Sequence, residues 1–289
     1  MPHIYSRYHR LLFLCALAGF LQGCKNITPT GQVPTYVHID SFRFTPYSPV
    51  GIATSSHQIS TIWVYYNDAS VGVFDLPATF PVITNGKDSG TLEVTPGVTL
   101  DGLNDLLAAD PFYQVATTTL VSQPGKIINY TPQTGYYPNV VYPISNFNYS
   151  NGFTLSGGTI PIIIDTADSL VFEGRGSGSI WLASPGDSSV DSVNIPLTIP
   201  AGNAFIEFNY KSSLPFYVGM QSNQAGISTT PYYLAGIYPS GTWQKFYLGI
   251  TDYIAQYHST TYNFFIKTSL PDSQAQGRLL LDNIQLLHF

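Results

Sequence analysis

Aromatic rings flanked by side-chain amides are the functional chemistry this sequence spaces best. A ring packs flat against the C–H face of a pyranose while neighbouring amides bond its hydroxyls. The candidates lie in the second half of the chain: Trp181, Tyr217, Tyr232 and Tyr233 as rings, with Gln221, Asn223 and Gln224 as polar partners. Phe216, Val218 and Met220 alternate with Tyr217, so a strand there turns Tyr217 away from the face that the other three share. The stretch from Ser222 to Pro231 is polar and contains glycine, as an adaptable rim would. The same rings would equally serve to bury against loops or against the first half of the chain, and both readings stand.

Other chemistries lack their parts. His38, His57, His258 and His288 are dispersed, without zinc spacing. Asp101, Asp105 and Asp110, separated by Leu and Ala, do not fit an EF-hand loop. The run Gly174–Gly178 (GRGSG) lacks the GK[ST] ending of a phosphate loop and reads as a turn. No G-x-S-x-G elbow occurs. A glycosidase needs two carboxylates across a cleft. With 17 acids in the chain some pair must lie within reach, but nothing in the local sequence marks one. An enzyme is therefore not expected. A net charge of −6 and few charged residues also argue against nucleic acid, whose phosphates want clustered Lys and Arg.

The elements that must position these side chains begin with a leader. Arg7 and Arg10 precede the apolar run Leu11–Leu21, which is too short to span a bilayer core of about 30 Å. A basic head, a short apolar run and the small Gly23 make a secretory signal. Leu21-Gln22-Gly23-Cys24 resembles the lipobox of bacterial lipoproteins, which implies cleavage after residue 23 and lipid on Cys24. An ordinary secretion signal with a chance cysteine is the alternative. Cys15 would leave with the leader, so no thiol would remain for a disulfide, a zinc site or a nucleophile. The expected address is the cell envelope, as an outer-membrane lipoprotein facing either the surface or the periplasm. Residues 24–34 read as a flexible tether.

Beyond residue 34, aromatic and β-branched residues broken by Gly, Pro, Ser and Thr predict an all-β protein. An Ig-like β-sandwich is expected over 35–130, with a hairpin turning at Asn67–Ser70. A helix is expected at Gly102–Ala109, where Leu103, Leu106 and Leu107 are helically spaced behind Asp101. Residues 131–150 read as a linker. Its tyrosines (136, 137, 142 and 149) either glue it to the next sheet or form a sticky surface. Over 151–289, strands about ten residues apart, among them Leu170–Glu173, predict a second sandwich of jelly-roll type.

The segment "IWVYYND…VGVFDLPATFPV…GTLEVTPG" is similar to Ig-type modules of extracellular bacterial proteins, and with "ADPFYQV" it resembles surface lipoproteins of Bacteroidota. The closing segments "SGTWQKFYLGI", "TYNFFIKTS" and "GRLLLDNIQLLHF" resemble the last strands of jelly-roll carbohydrate-binding modules and galactose-binding-like domains. That resemblance implies a core role for Trp243. It also implies a structural Ca²⁺ shared by Glu173 and Asp282, since a hard ion takes six to eight oxygens. The expected function is non-catalytic glycan binding by an anchored envelope protein. The alternative is a structural or adhesion subunit whose exposed tyrosines meet a protein partner.

Overall fold

A computed structural model describes residues 31–46, 54–103, 106–224 and 230–289. The leader, Cys24 and most of the tether lie outside the described residues, as do Asp105 and residues 225–229 of the Ser222–Pro231 stretch.

The protein is all-β, as expected, and is built as two sandwiches. The first contains β1 (Thr35–Ile39), β2 (Arg43–Phe44), β3 (Thr61–Tyr66), β4 (Ala69–Asp75), β5 (Ala78–Val82), β6 (Ser89–Thr99), β7 (Leu107–Ala109), β8 (Ala116–Val121) and β9 (Ile127–Asn129). One sheet has the order β5-β1-β9, with β1 and β9 parallel. The other has β4-β3-β6-β7, with β8 also on β6. Alternation decides the faces. Val37, Ile39, Phe80 and Val82 from one sheet meet Ile62, Val64, Leu92 and Val94 from the other in a closed core. The predicted hairpin forms between β3 and β4. Asn67 (φ 49°) and Asp68 (φ 64°) both take the left-handed conformation that a tight hairpin turn needs.

The expected helix at Gly102–Ala109 does not form. Leu107–Ala109 pairs with Gly97–Thr99 at the edge of the sheet, while Leu103 and Leu106 face solvent. Nor does Asp101 cap a helix, because its Oδ1 accepts the N–H of Gly249 from the second sandwich at 2.9 Å. Sheet pairing and this long-range bond override a local leucine pattern too short to bury one helical face.

The linker is docked rather than free. It holds β10 (Gln133–Thr134), which pairs β2, and β11 (Val141–Ser145), which joins the second sandwich. That body follows with β12 (Phe153–Gly158), β13 (Ile163–Asp165), β14 (Ser177–Leu182), β15 (Ser188–Val193), β16 (Leu197–Thr198), β17 (Ala204–Ser212), β18 (Phe216–Asn223), β19 (Tyr232–Ile237), β20 (Ser240–Gly249), helix α1 (Thr251–Tyr257), β21 (Thr261–Ser269) and β22 (Gly277–His288). One sheet runs β13-β14-β22-β17-β20 and the other β12-β15-β21-β18-β19. The chain crosses repeatedly from one sheet to the other, which is the jelly-roll arrangement. Ile206, Phe208, Phe246 and Leu281 pack against Phe216, Val218, Phe264 and Ile266 between the sheets. Helix α1, which no sequence pattern announced, plugs one end with Tyr253 and Ile254.

Two strand-level expectations fail together. Leu170–Glu173 is irregular, and Trp243 is not in the core. Trp243 packs half-buried on Phe172 of that loop, with ring centroids 5.1 Å apart.

Candidate functional site

The outer face of the sheet β12-β15-β21-β18-β19 forms an aromatic platform. Cross-strand register builds it in rows. Val190, Lys267, Tyr217 and Gly236 form one row; Ser192, Phe265, Gly219 and Tyr233 form the next. The two glycines are what let the rings lie down. A Cβ on Gly219 would stand 2.4 Å from the Phe265 ring and 2.2 Å from the Tyr232 carbonyl oxygen, and one on Gly236 would stand 3.1 Å from the Tyr217 ring. Phe265 thus forms a buried floor, and Tyr233 stands edge-on to it at 5.3 Å. Tyr217 meets Tyr233 edge-to-face at 5.9 Å, and the two remain 51% and 48% exposed. Such edge contacts fix ring orientation while leaving faces open. Lys267 Nζ donates to the Tyr233 hydroxyl at 3.2 Å and lies 5.4 Å from that ring's centroid. Next along, Gln221 lies opposite Asn263, whose Oδ1 accepts from Asn223 Nδ2 at 3.3 Å.

The structure therefore gathers Tyr217, Tyr233, Gln221 and Asn223 on one face and separates the other two rings. Tyr232 turns toward α1, 5.7 Å from Tyr253. Trp181 sits on the opposite sheet, where the Arg278 guanidinium covers its ring at 4.6 Å. Lys267, Asn263 and Phe265 are platform members that sequence reasoning missed. The alternation of TYNFFIKTS places all three on the face opposite Tyr262, Phe264 and Ile266, and that was the available signal.

Glu173 and Asp282 do come together. Asp282 is wholly buried, and its carboxyl is pushed up to about 7, first by burial, with the nearby Glu173 charge adding to the rise. Ser177 Oγ donates to Asp282 at 2.6 Å and the Asn283 N–H at 2.8 Å, while Asn283 Nδ2 donates to Glu173 Oε1 at 2.7 Å. Two close carboxylates suit a hard cation, although hydrogen-bond donors already meet three of their oxygens. Among the described residues no group of three or more His, Cys, Asp or Glu gathers as a metal cluster.

A second polar cluster is sealed at the junction of the sandwiches. Lys245 Nζ lies 2.9 Å from Glu207 Oε2, which also accepts from the Tyr136 hydroxyl at 2.6 Å and from Gln285 Nε2 at 3.2 Å. Tyr113 and Tyr247 share a hydrogen bond at 3.1 Å, and Asp110 Oδ1 accepts the Phe112 N–H at 2.8 Å. Around them Phe112, Phe205, Val98, Val140 and Leu287 form a third apolar core. Burial and the Glu207 charge raise the Asp110 carboxyl to about 8. Both acids are sealed from solvent, Asp110 being 1% and Glu207 0% exposed. Of the linker tyrosines, Tyr136 is this glue, whereas Tyr149 is 81% exposed.

At the end of the jelly roll beside α1 a groove of about 940 Å³ opens, walled by Pro143, Ile195, Pro196 and Pro200 with His258 and His288 on its margin. Its mainly apolar lining offers little to a ligand rich in hydroxyls.

No family model matches the chain, and a search of curated proteins finds no match. Several solved structures are similar over part of it. The enzymatically active domain of tailspike protein 4 from bacteriophage CBA120 is 11% identical over 56% of this chain with a TM-score of 0.40, and the chain spans 25% of that protein's length. A family 11 carbohydrate-binding module from Clostridium thermocellum, in complex with a β-1,3-1,4-mixed-linked tetrasaccharide, is 10% identical over 51% of this chain and 95% of its own, with a TM-score of 0.39. A carbohydrate-binding module of the β-sandwich superfamily, described for promiscuous specificity, is 13% identical over 90% of this chain and 100% of its own, with a TM-score of 0.40. All three TM-scores fall below 0.5, so the jelly-roll description rests on the strand order itself.

Proposed function

We propose that this protein is a non-catalytic glycan-binding protein of the cell envelope, held by lipid on Cys24 and gripping saccharide with the Tyr217–Tyr233 platform. One observation carries the reading: two tyrosines about half exposed are held rigidly on a sheet face, with the amides of Gln221, Asn223 and Asn263 beside them. Rings pre-set on strands lose little freedom on binding, which favours saccharide over the cost of ordering a loop. Among the described residues, the strands of this sheet hold one acid, Asp191, which is buried, and Asp110 and Glu207 of the junction are buried as well. The envelope address rests on the leader and the lipobox-like segment alone. In the same reading the Glu173–Asp282 pair takes a structural Ca²⁺.

Affinity electrophoresis of the full-length protein in detergent, against a panel of soluble polysaccharides, tests the platform. Retardation by at least one polymer is expected. It should be lost in Tyr217→Ala and Tyr233→Ala at unchanged melting temperature. No retardation by any polymer, with a protein partner co-purifying instead, would favour the adhesion role.

A further inference from the structure

We infer that the saccharide held on this platform is anionic, its carboxylate or sulfate group meeting Lys267. The inference rests on the platform reading and adds the charge class of the ligand.

Charge is distributed unevenly over this face. The strands β12, β15, β16, β18, β19 and β21 together contain one acid, Asp191, and one base, Lys267. Asp191 points inward. It is wholly buried, lies opposite the core residue Ile266, and accepts the Ile162 N–H at 3.2 Å and the Ser189 hydroxyl. Among the described residues, the outward positions of these strands therefore carry a single formal charge, and it is positive, on a chain whose net charge is −6. No carboxylate on these strands pairs with Lys267. Its hydrogen-bond partner is the neutral Tyr233 hydroxyl at 3.2 Å, and Tyr217 stands directly across the strand pair. An ammonium carries three donors, so the Tyr233 bond leaves capacity for an anion. The Tyr233 ring, its centroid 5.4 Å from the ammonium, lowers the local dielectric on that side, which strengthens the pull on a charge set against the ring.

A neutral sugar would gain only ordinary hydroxyl bonds from this lysine. An acidic residue stacked on Tyr217 or Tyr233 would add a charge-assisted one. The overall negative charge of the protein also keeps polyanions from adhering non-specifically, so retention of such a polymer reports a local site.

The test is affinity electrophoresis of the full-length protein in detergent against polygalacturonate and alginate as carboxylated polymers, carrageenan as a sulfated one, and galactan and xyloglucan as neutral ones. Retardation by a carboxylated or a sulfated polymer, and by neither neutral one, is expected; which of the two retards identifies the anion. Lys267→Gln should weaken the retained pair about tenfold, and Lys267→Arg should restore most of it. Retardation by a neutral polymer, abolished by Tyr217→Ala but unmoved by Lys267→Gln, would overturn the anionic assignment and leave the platform standing. Absence of retardation by all five polymers would overturn both.

Discussion

At the scale of single residues, the informative side chains are those whose ionisation the fold opposes. Asp110 is the clearest. Its ordinary value is 3.8, and burial together with Glu207 raises it to about 8 in the folded chain. Between those values the folded protein holds a proton that the unfolded chain has released. Its contribution is therefore fully present on the acid side of 3.8 and is lost as pH rises toward 8. Asp110→Asn keeps an oxygen for the Phe112 N–H and removes the charge. Urea midpoints should fall for the parent chain between pH 5 and pH 8, and the substitution should flatten that fall; parallel profiles would refute it. Little of this was legible in the sequence. In the sequence Asp110 merely follows the expected helix, and nothing local announces the charges of Glu207 and Lys245, which lie about a hundred residues or more further along the chain. Tyr217 is the contrary case: its alternation with Phe216, Val218 and Met220 placed it on the outer face, where it stands.

At the scale of elements, strands were readable and their partners were not. Patterning located β3 and β4 around the Asn67–Ser70 turn, and alternation located β18, since each turns a face to a core. The same reasoning failed for Gly102–Ala109, where three leucines mimic a helix while β6 offers an unpaired edge, and for Leu170–Glu173, whose Phe172 serves Trp243 instead. The terminal strand β22 was legible as a strand, and its Asp282 lies near Glu173. There Asn283, at φ 47°, interrupts the pleat and swings its amide onto Glu173. If a cation sits at this pair, EDTA should lower the melting temperature by several degrees and Ca²⁺ should restore it. That is the shift of a ligand bound well above its dissociation constant. An unchanged melting temperature would leave the pair to the hydrogen bonds from Ser177 and Asn283.

At the scale of the whole molecule, the decisive feature is the third core. Residues of the first sandwich (Val98, Phe112 and Tyr113), the linker (Tyr136 and Val140) and the second sandwich (Phe205, Tyr247 and Leu287) are buried together, around the Glu207–Lys245 pair. Separating the bodies would expose those rings and leave the ion pair half-solvated, at a cost comparable to breaking a domain core. The full chain should therefore unfold in one calorimetric transition, with calorimetric and van't Hoff enthalpies in agreement. Two resolved transitions would show that the sandwiches melt independently. The sequence suggested two bodies with a linker and could not say that they fuse. Tyrosines look alike in composition whether they lie against solvent, as Tyr149 does, or against a carboxylate, as Tyr136 does.

That fusion has a consequence for grip. With residues of one jelly-roll sheet packed against the first sandwich, the proposed platform on the other sheet would offer a polymer one handhold per molecule. On the proposed function, firm retention of a long repeating chain would then depend on many copies clasping it at once, each raising the effective concentration for the next. Strength would grow with the crowding of the protein on its surface rather than with the affinity of any one molecule.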